Sequence, residues 1–281
     1  SSSMSEARRF RRAIVRPPAE NFADGLTSVD LGTPDFGRAL QQHEAYCEAL
    51  EDLGLALTRL PEDPEFPDST FVEEAAILTP RGPILTRPGA ASREGEVAAI
   101  AAALASFFPA TRAIEAPGTL DGGDICEAGD HWFIGISRRT NEDGARQLAR
   151  FLEEDGVSSS LVDIRQIPDI LHLKSGIAWL SDRRLVLIDS LRSETAFAGW
   201  DIVPVDPAEA YAANCVTVNE AVFFARGFPR LERRLAEGRD RDGRGEKHHH
   251  GHQGEDAGGP GEPSPSIGRT GCDVFGHGFL P

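Results

Sequence analysis

The stretch Pro67-Asp68-Ser69-Thr70-Phe71-Val72-Glu73-Glu74 places three carboxylates and an aromatic ring around the start of an apolar run. That set suits a guanidinium, which is planar, presents a fork of donors and keeps its charge at any physiological pH. Carboxylates in bidentate geometry hold such a group, and an aromatic face can stack on it. Taken alone, the stretch is more simply a solvated acidic turn. In Thr119-Leu120-Asp121-Gly122-Gly123-Asp124, two Asp residues bracket a glycine pair, so the backbone can turn sharply and approach a ligand. An ordinary turn uses the same residues. Ser137-Arg138-Arg139-Thr140-Asn141 offers Arg139 either as a partner for a substrate carboxylate or as a surface charge. Ile170-Leu171-His172-Leu173-Lys174-Ser175 contains the best general acid/base candidate, His172, although a lone histidine in an apolar run is usually a hydrogen-bonded core residue.

These residues must be positioned by short strands and a few helices. Hydrophobic periodicity predicts strands at Arg12–Val15 and Leu55–Leu60, around an amphipathic helix Phe36–Leu53 with Leu40, His43, Cys47 and Leu50 inward. Val72–Thr79 and Pro83–Arg87 read as a hairpin across Pro80-Arg81-Gly82, and Ser92 as the N-cap of a helix Arg93–Phe107. Strands at Ala113–Glu115, Asp124–Glu127 and Trp132–Ile136, a helix Glu142–Glu154 and a strand Ser159–Ile164 repeat the pattern. Strands Ile177–Leu180 and Leu185–Asp189, a hairpin of Val216–Val218 with Ala221–Ala225, and a helix from Pro229 to Glu237 complete it. Such recurrence suggests stacked β-β-α-β units rather than one doubly wound sheet.

With 40% hydrophobic and 26% charged residues the chain has the composition of a soluble globular protein. Its net charge of −16 argues against nucleic acid and anionic membrane as partners, which demand clustered Lys and Arg. No apolar run approaches the roughly 18 residues that span a bilayer. Ser1 to Arg12 is polar and basic without an apolar h-region, so secretion is not expected and a cytoplasmic location is. Cys47, Cys126, Cys215 and Cys272 form neither a disulfide framework nor a zinc knuckle; most read as core residues in a reducing compartment. From Gly238 to Arg269 the only hydrophobic residues are Ala257 and Ile267. Composition therefore divides the chain into a flexible N-terminus 1–11, a folded domain 12–237 and a low-complexity, disordered tail 238–281. The tail's His248-His249-His250-Gly251-His252 lacks a partner carboxylate or thiol at fixed geometry, and no metal site is assigned to it.

Asp68-x-x-Phe71-Val72-Glu73, Arg87-Pro88-Gly89-Ala90-Ala91-Ser92-Arg93, Leu120-Asp121-Gly122-Gly123-Asp124, Arg138-Arg139-Thr140-Asn141, Leu171-His172-Leu173-Lys174-Ser175 and Ala213-Asn214-Cys215 together resemble dimethylarginine dimethylaminohydrolase, in the guanidine-modifying superfamily. The motifs occur in family order and spacing from about Arg12 to Glu237, and their combination is highly specific. The resemblance implies a single-domain, five-bladed α/β-propeller of pseudo-symmetric ββαβ units, the last unit incomplete here. It implies substrate-binding acids at Asp68 and Glu73, an aromatic wall at Phe71, a loop residue closing over the substrate at Leu26, and arginines for the amino-acid end at Arg93 and Arg139. Asp121 matches the acid beside the reacting carbon, and His172 the catalytic histidine. Glu74 replaces the family's usual Asp, and its extra methylene can displace the carboxylate by about 1 Å.

The implied reaction is hydrolysis of Nω-methylated arginine to citrulline and a methylamine through a covalent cysteine S-alkylthiouronium, with no cofactor. Arginine deiminase chemistry and non-catalytic arginine or methylarginine binding are the alternatives. Cys272 lies where the spacing from His172 places the nucleophile, but Gly271 and Asp273 flank it instead of a Gly-x-Thr-Cys-Leu context. A slip of the reading frame near Gly238 would account for both the abrupt loss of apolar residues and this altered context. Which N-substituents are preferred and the oligomeric state are not readable from the residues.

Overall fold

The computed structural model describes residues 9–26, 32–168, 170–242 and 278–280. Cys272, the His248–His252 cluster and residues 1–8 lie outside the described residues. The chain enters on strand β1 (Arg12–Val15), whose Ala13, Ile14 and Val15 are buried. Asp35 caps α1 (Phe36–Asp52), its side chain accepting the Arg38 N–H at 2.6 Å and so satisfying a donor that the first helical turn leaves open. The core face of α1 is Ala39, His43, Cys47 and Leu50; Leu40, assigned to that face from the sequence, is exposed, and Ala39 takes the inward position. Strand β2 (Ala56–Arg59) returns parallel to β1.

The strand expected from Val72 to Thr79 is divided. Val72–Glu74 is a 3-10 turn, and only Ala76–Thr79 forms strand β3, paired antiparallel with β4 (Gly82–Leu85). The break frees Glu73 and Glu74 to meet Lys174 and Gly123 instead of a neighbouring strand. The helix expected at Arg93–Phe107 is also shorter. Ala91–Arg93 forms a 3-10 turn, and α2 (Glu96–Leu104) begins after Gly95 rather than at a Ser92 cap. Buried Arg93 pairs with Glu96 at 2.6 Å across the junction between the two. Strand β5 (Arg112–Ala113) follows, parallel to β4.

The next unit repeats that order with β6 (Ile125–Ala128) antiparallel to β7 (His131–Ile136), then α3 (Glu142–Glu154) and β8 (Ser158–Asp163) parallel to β7. Helix α3 has the predicted bounds for plain reasons. Asn141 accepts the Gly144 N–H at 2.8 Å, Glu142 and Asp143 sit at the positive end of the helix dipole, and Ala145, Leu148 and Leu152 are buried. Asp124, expected to open β6, instead ends the 3-10 turn Gly122–Asp124. A third unit joins β9 (Ile177–Ser181) and β10 (Arg184–Leu187) to parallel β11 (Asp201–Pro204), with 3-10 turns in the crossover.

Strands β12 (Val216–Val218) and β13 (Ala221–Phe223) form an antiparallel pair before α4 (Pro229–Asp242). The Glu209 carboxylate accepts the Arg230 and Leu231 N–H groups at 3.1 and 2.9 Å, anchoring the start of α4. This helix continues past Glu237, where composition places the start of the tail. Within that tail, β14 (Gly278–Leu280) pairs antiparallel with β1, a strand that the low-complexity reading does not anticipate. The strands fall into five sheets, four of them three-stranded and β12–β13 two-stranded. The result is a mixed α/β fold. Its largest apolar cluster, including Phe133, Leu173, Ile177 and Leu187, lies directly under the turn that carries His172.

Candidate active site

Three turns converge because two glycines let them touch. A Cβ on Gly122 would lie 1.9 Å from the Glu73 carbonyl oxygen, and one on Gly123 would lie 2.7 Å from both Glu74 Oε1 and the His172 ring. Only hydrogen side chains allow the Asp121 turn to press against the Glu73-Glu74 turn and the His172 segment. The sequence reading has the Gly122-Gly123 backbone approach a ligand; the close neighbours in the structure are the protein's own Glu73, Glu74 and His172.

At the junction His172 stands between two acids. Its Nε2 is 3.2 Å from Asp121 Oδ2, and its Nδ1 is 3.8 Å from Glu74 Oε1. Burial opposes a charge on the ring, but Glu74, the Asp121 hydrogen bond and Asp124 together push the His172 pKa up to about 9. The resting ring is therefore an imidazolium at neutral pH. Burial would raise Asp121, yet the His172 hydrogen bond and charge and the Gly89 N–H, 2.7 Å from Oδ1, hold it below the usual carboxylate range. Glu74 Oε2 accepts the Gly123 N–H at 2.8 Å. Donor atoms of Glu74, Asp121 and His172 all lie within 4.8 Å of one another, close enough to share a cation if the ring were neutral.

The guanidinium-gripping candidates surround this centre unequally. Asp68 is buried, and its Oδ2 accepts the Leu26 N–H at 2.9 Å, so exposed Leu26 is tied by its backbone to the acid. Glu73 pairs with Lys174, a partner that the sequence reading left unassigned. Burial disfavours the Lys174 charge, but Glu73 keeps its pKa above the ordinary value. Arg93 is buried and satisfied within the protein: Nε and Nη2 reach Glu96 at 3.0 and 2.6 Å, and Nη2 reaches the Asp68 carbonyl at 3.1 Å. Its guanidinium stands 5.9 Å from the Phe71 ring centroid. In this structure Phe71 thus stacks on an internal cation. Arg139 reaches the centre, its Nη1 3.7 Å from Asp121 Oδ2.

A family model described as arginine deiminase matches residues 64–223. A dimethylarginine dimethylaminohydrolase of Pseudomonas aeruginosa is 44% identical over 228 residues, covering 81% of this chain and 89% of the relative. The chain belongs to the dimethylarginine dimethylaminohydrolase family. A Streptomyces coelicolor member is 37% identical over 177 residues, covering 63% of this chain and 67% of its own. The solved Pseudomonas aeruginosa dimethylarginine dimethylaminohydrolase, a cysteine-to-serine variant in complex with citrulline, superposes with a TM-score of 0.78 over 82% of this chain and 89% of that one. The N-terminal domain of ArgZ, an arginine dihydrolase, has a TM-score of 0.71 at 18% identity over 86% of this chain and 90% of its own, a likeness of fold.

For a dimethylarginine dimethylaminohydrolase the thiol is the decisive group. Cys47, Cys126 and Cys215 are buried, and burial pushes each thiol up to about 12, as fits the core residues expected from their sequence contexts. Cys47 Sγ lies 3.5 Å from His43 Nε2, and burial lowers that histidine to about 4, so both groups are neutral. Sequence reasoning also passed over Asp124, the second acid of the Asp-Gly-Gly-Asp turn. It is fully buried and bonded to Ser137, Thr140 and Leu173. The signal was present in its spacing from Asp121 and in the hydroxyls beside Arg139, but nothing in sequence says which of two acids points inward.

Proposed function

We propose that the protein hydrolyses Nω-methylated arginine to citrulline and a methylamine. The observation that carries this reading is His172 set 3.2 Å from Asp121 and 3.8 Å from Glu74, beside the acidic Asp68–Glu74 stretch. Asp68, Glu73 and Glu74 supply carboxylates for the substrate guanidinium, Leu26 covers it, Phe71 walls it, and Arg139 serves its amino-acid end, while Arg93, bonded to Glu96 and the Asp68 carbonyl, holds the Asp68 turn in place. With the other thiols buried in the core, Cys272 is the cysteine left to attack the guanidinium carbon.

Attack forms a C–S bond. The C–N bond to the alkylamine then breaks, the nitrogen taking the proton that His172 donates. Asp121 keeps the positive charge in place until that transfer. The neutral ring next removes a proton from water, whose oxygen bonds to the thiouronium carbon; the C–S bond breaks, the thiolate is restored and citrulline leaves. No cofactor enters these steps.

The order of strand pair, crossover and parallel strand, repeated in β3–β5, β6–β8 and β9–β11, supports reading the sheets as blades of an α/β-propeller. No helix among the described residues is long and apolar enough to cross a membrane, in keeping with a cytoplasmic enzyme acting on a small molecule. The test is incubation with dimethylarginine, monomethylarginine and arginine, reading citrulline and the released amine. Citrulline with dimethylamine supports the proposal. Citrulline from arginine alone moves the reading to a deiminase, which the family model's description favours. Binding with no citrulline leaves a non-catalytic binder.

A further inference from the structure

Asp124 is fully buried and lies outside the set of groups assigned to the substrate. Its Oδ2 accepts the hydroxyl protons of Ser137 and Thr140, each at 2.6 Å, and its Oδ1 accepts the Leu173 N–H at 3.0 Å. Every one of these donors leads to a site residue. Leu173 follows His172 directly. Ser137 Oγ accepts the N–H groups of Arg139 and Thr140 at 2.9 and 3.0 Å. Thr140 Oγ1 accepts the Asp121 N–H at 3.1 Å. Strand β7 closes the junction from below: a Cβ on Gly135 would lie 3.0 Å from Asp124 Oδ1 and 2.8 Å from Leu173 Cβ.

We infer that Asp124 is a positioning residue that fixes Asp121, Arg139 and His172 relative to one another through its bonds to Thr140, Ser137 and Leu173. The inference rests on the roles proposed above for those three. A carboxylate is required by the chemistry of the donors. Two hydroxyls and an N–H converge on one group, and an amide in its place would turn its own NH2 toward one of them. Burying the charge is costly, and desolvation pushes Asp124 up to about 6 in spite of its three bonds. That cost would be needless if the position served only to fill the core. Sub-ångström displacement of an acid or base from its partner is enough to slow a reaction severely.

The two hydroxyls separate the consequences. Thr140→Val keeps the side chain's shape but cuts the link to Asp121, while Ser137→Ala removes the acceptor of the Arg139 and Thr140 N–H groups and leaves the Thr140 hydroxyl between Asp124 and the Asp121 N–H. Each removes one donor from Asp124, so each controls for the other's effect on folding. The carboxylates that raise His172 are Glu74, Asp121 and Asp124, Arg139 stands 3.7 Å from Asp121, and neither substitution removes any of these charges. In protein carrying labelled histidine, the His172 resonance, identified by its loss in His172→Gln, should titrate about one unit lower in Thr140→Val and as wild type in Ser137→Ala. In turnover, Thr140→Val should lower kcat about tenfold with KM little changed, and Ser137→Ala should raise KM about tenfold with kcat little changed. A wild-type His172 titration in Thr140→Val, or equal changes of kcat and KM in both variants, would overturn the inference. The titration needs no turnover. A wild-type protein that makes no citrulline defeats the proposed function while the imidazole still decides the role of Asp124.

Discussion

His172 Nε2 lies 3.2 Å from Asp121 Oδ2, an ion pair in which the imidazole carries the proton and the carboxylate holds it in line. Replacing either partner by alanine removes the acid for the departing amine or the group that aims it. Both His172→Ala and Asp121→Ala should lower kcat by roughly 10²–10⁴ in citrulline release assays. Wild-type kcat in either variant would sink the assignment.

The same pair links stability to pH. The His172 pKa is raised from 6.5 to about 9 by Glu74, Asp121 and Asp124 against burial, so its charge stabilises the folded state fully below pH 6.5. That stabilisation, on the order of 3 kcal/mol, should fade as pH rises through about 9. Urea unfolding of wild type and His172→Gln should therefore show a gap that is widest near pH 6 and closes above pH 9. A gap independent of pH would contradict the ion pair.

Arg139 offers a guanidinium 3.7 Å from Asp121, half-buried and free of a closer carboxylate among the ion pairs of the described residues. Arg139→Ala should raise KM for dimethylarginine at least tenfold while changing little for an analogue without the α-carboxylate. An unchanged KM for dimethylarginine would remove Arg139 from the binding set.

The sheet of β12 and β13 has two strands, whereas those built from β3–β5, β6–β8 and β9–β11 each add a parallel third strand after the crossover. Helix α4 occupies the crossover position, and among the described residues no strand follows it to pair with β13. The reading-frame slip expected near Gly238 from the abrupt loss of apolar residues is testable in the gene. One permitted set of codons for Gly271 to Phe279, GGG-TGT-GAC-GTG-TTT-GGT-CAT-GGT-TTC, reads Gly-Val-Thr-Cys-Leu-Val-Met-Val when moved one base forward, an apolar run around a cysteine. Sequencing the gene over this region should reveal a one-base discrepancy. A gene that encodes the tail in frame, in a protein that makes citrulline, would rule the slip out and leave Cys272 as the nucleophile.

The sequence alone determined the parts whose signals are local. Asn141 with Glu142 and Asp143 sets the start of α3, and the apolar spacing of Ala145, Leu148 and Leu152 sets its inner face. The Asp-Gly-Gly-Asp turn, His172 and the acids from Asp68 to Glu74 were legible as chemistry because their types and order are unusual. Tertiary structure decided what those groups do to each other. Glu73 meets Lys174 and Arg93 meets Glu96, pairings that depend on where turns break rather than on composition. Val72–Glu74 leaves the strand where Glu73 and Glu74 find partners on distant turns, since a buried charge without a partner is costly. Asp121 and Asp124 are indistinguishable in a string. The fold gives one an imidazolium and the other two hydroxyls and an amide, since a buried carboxylate is defined by the donors that long-range packing brings to it.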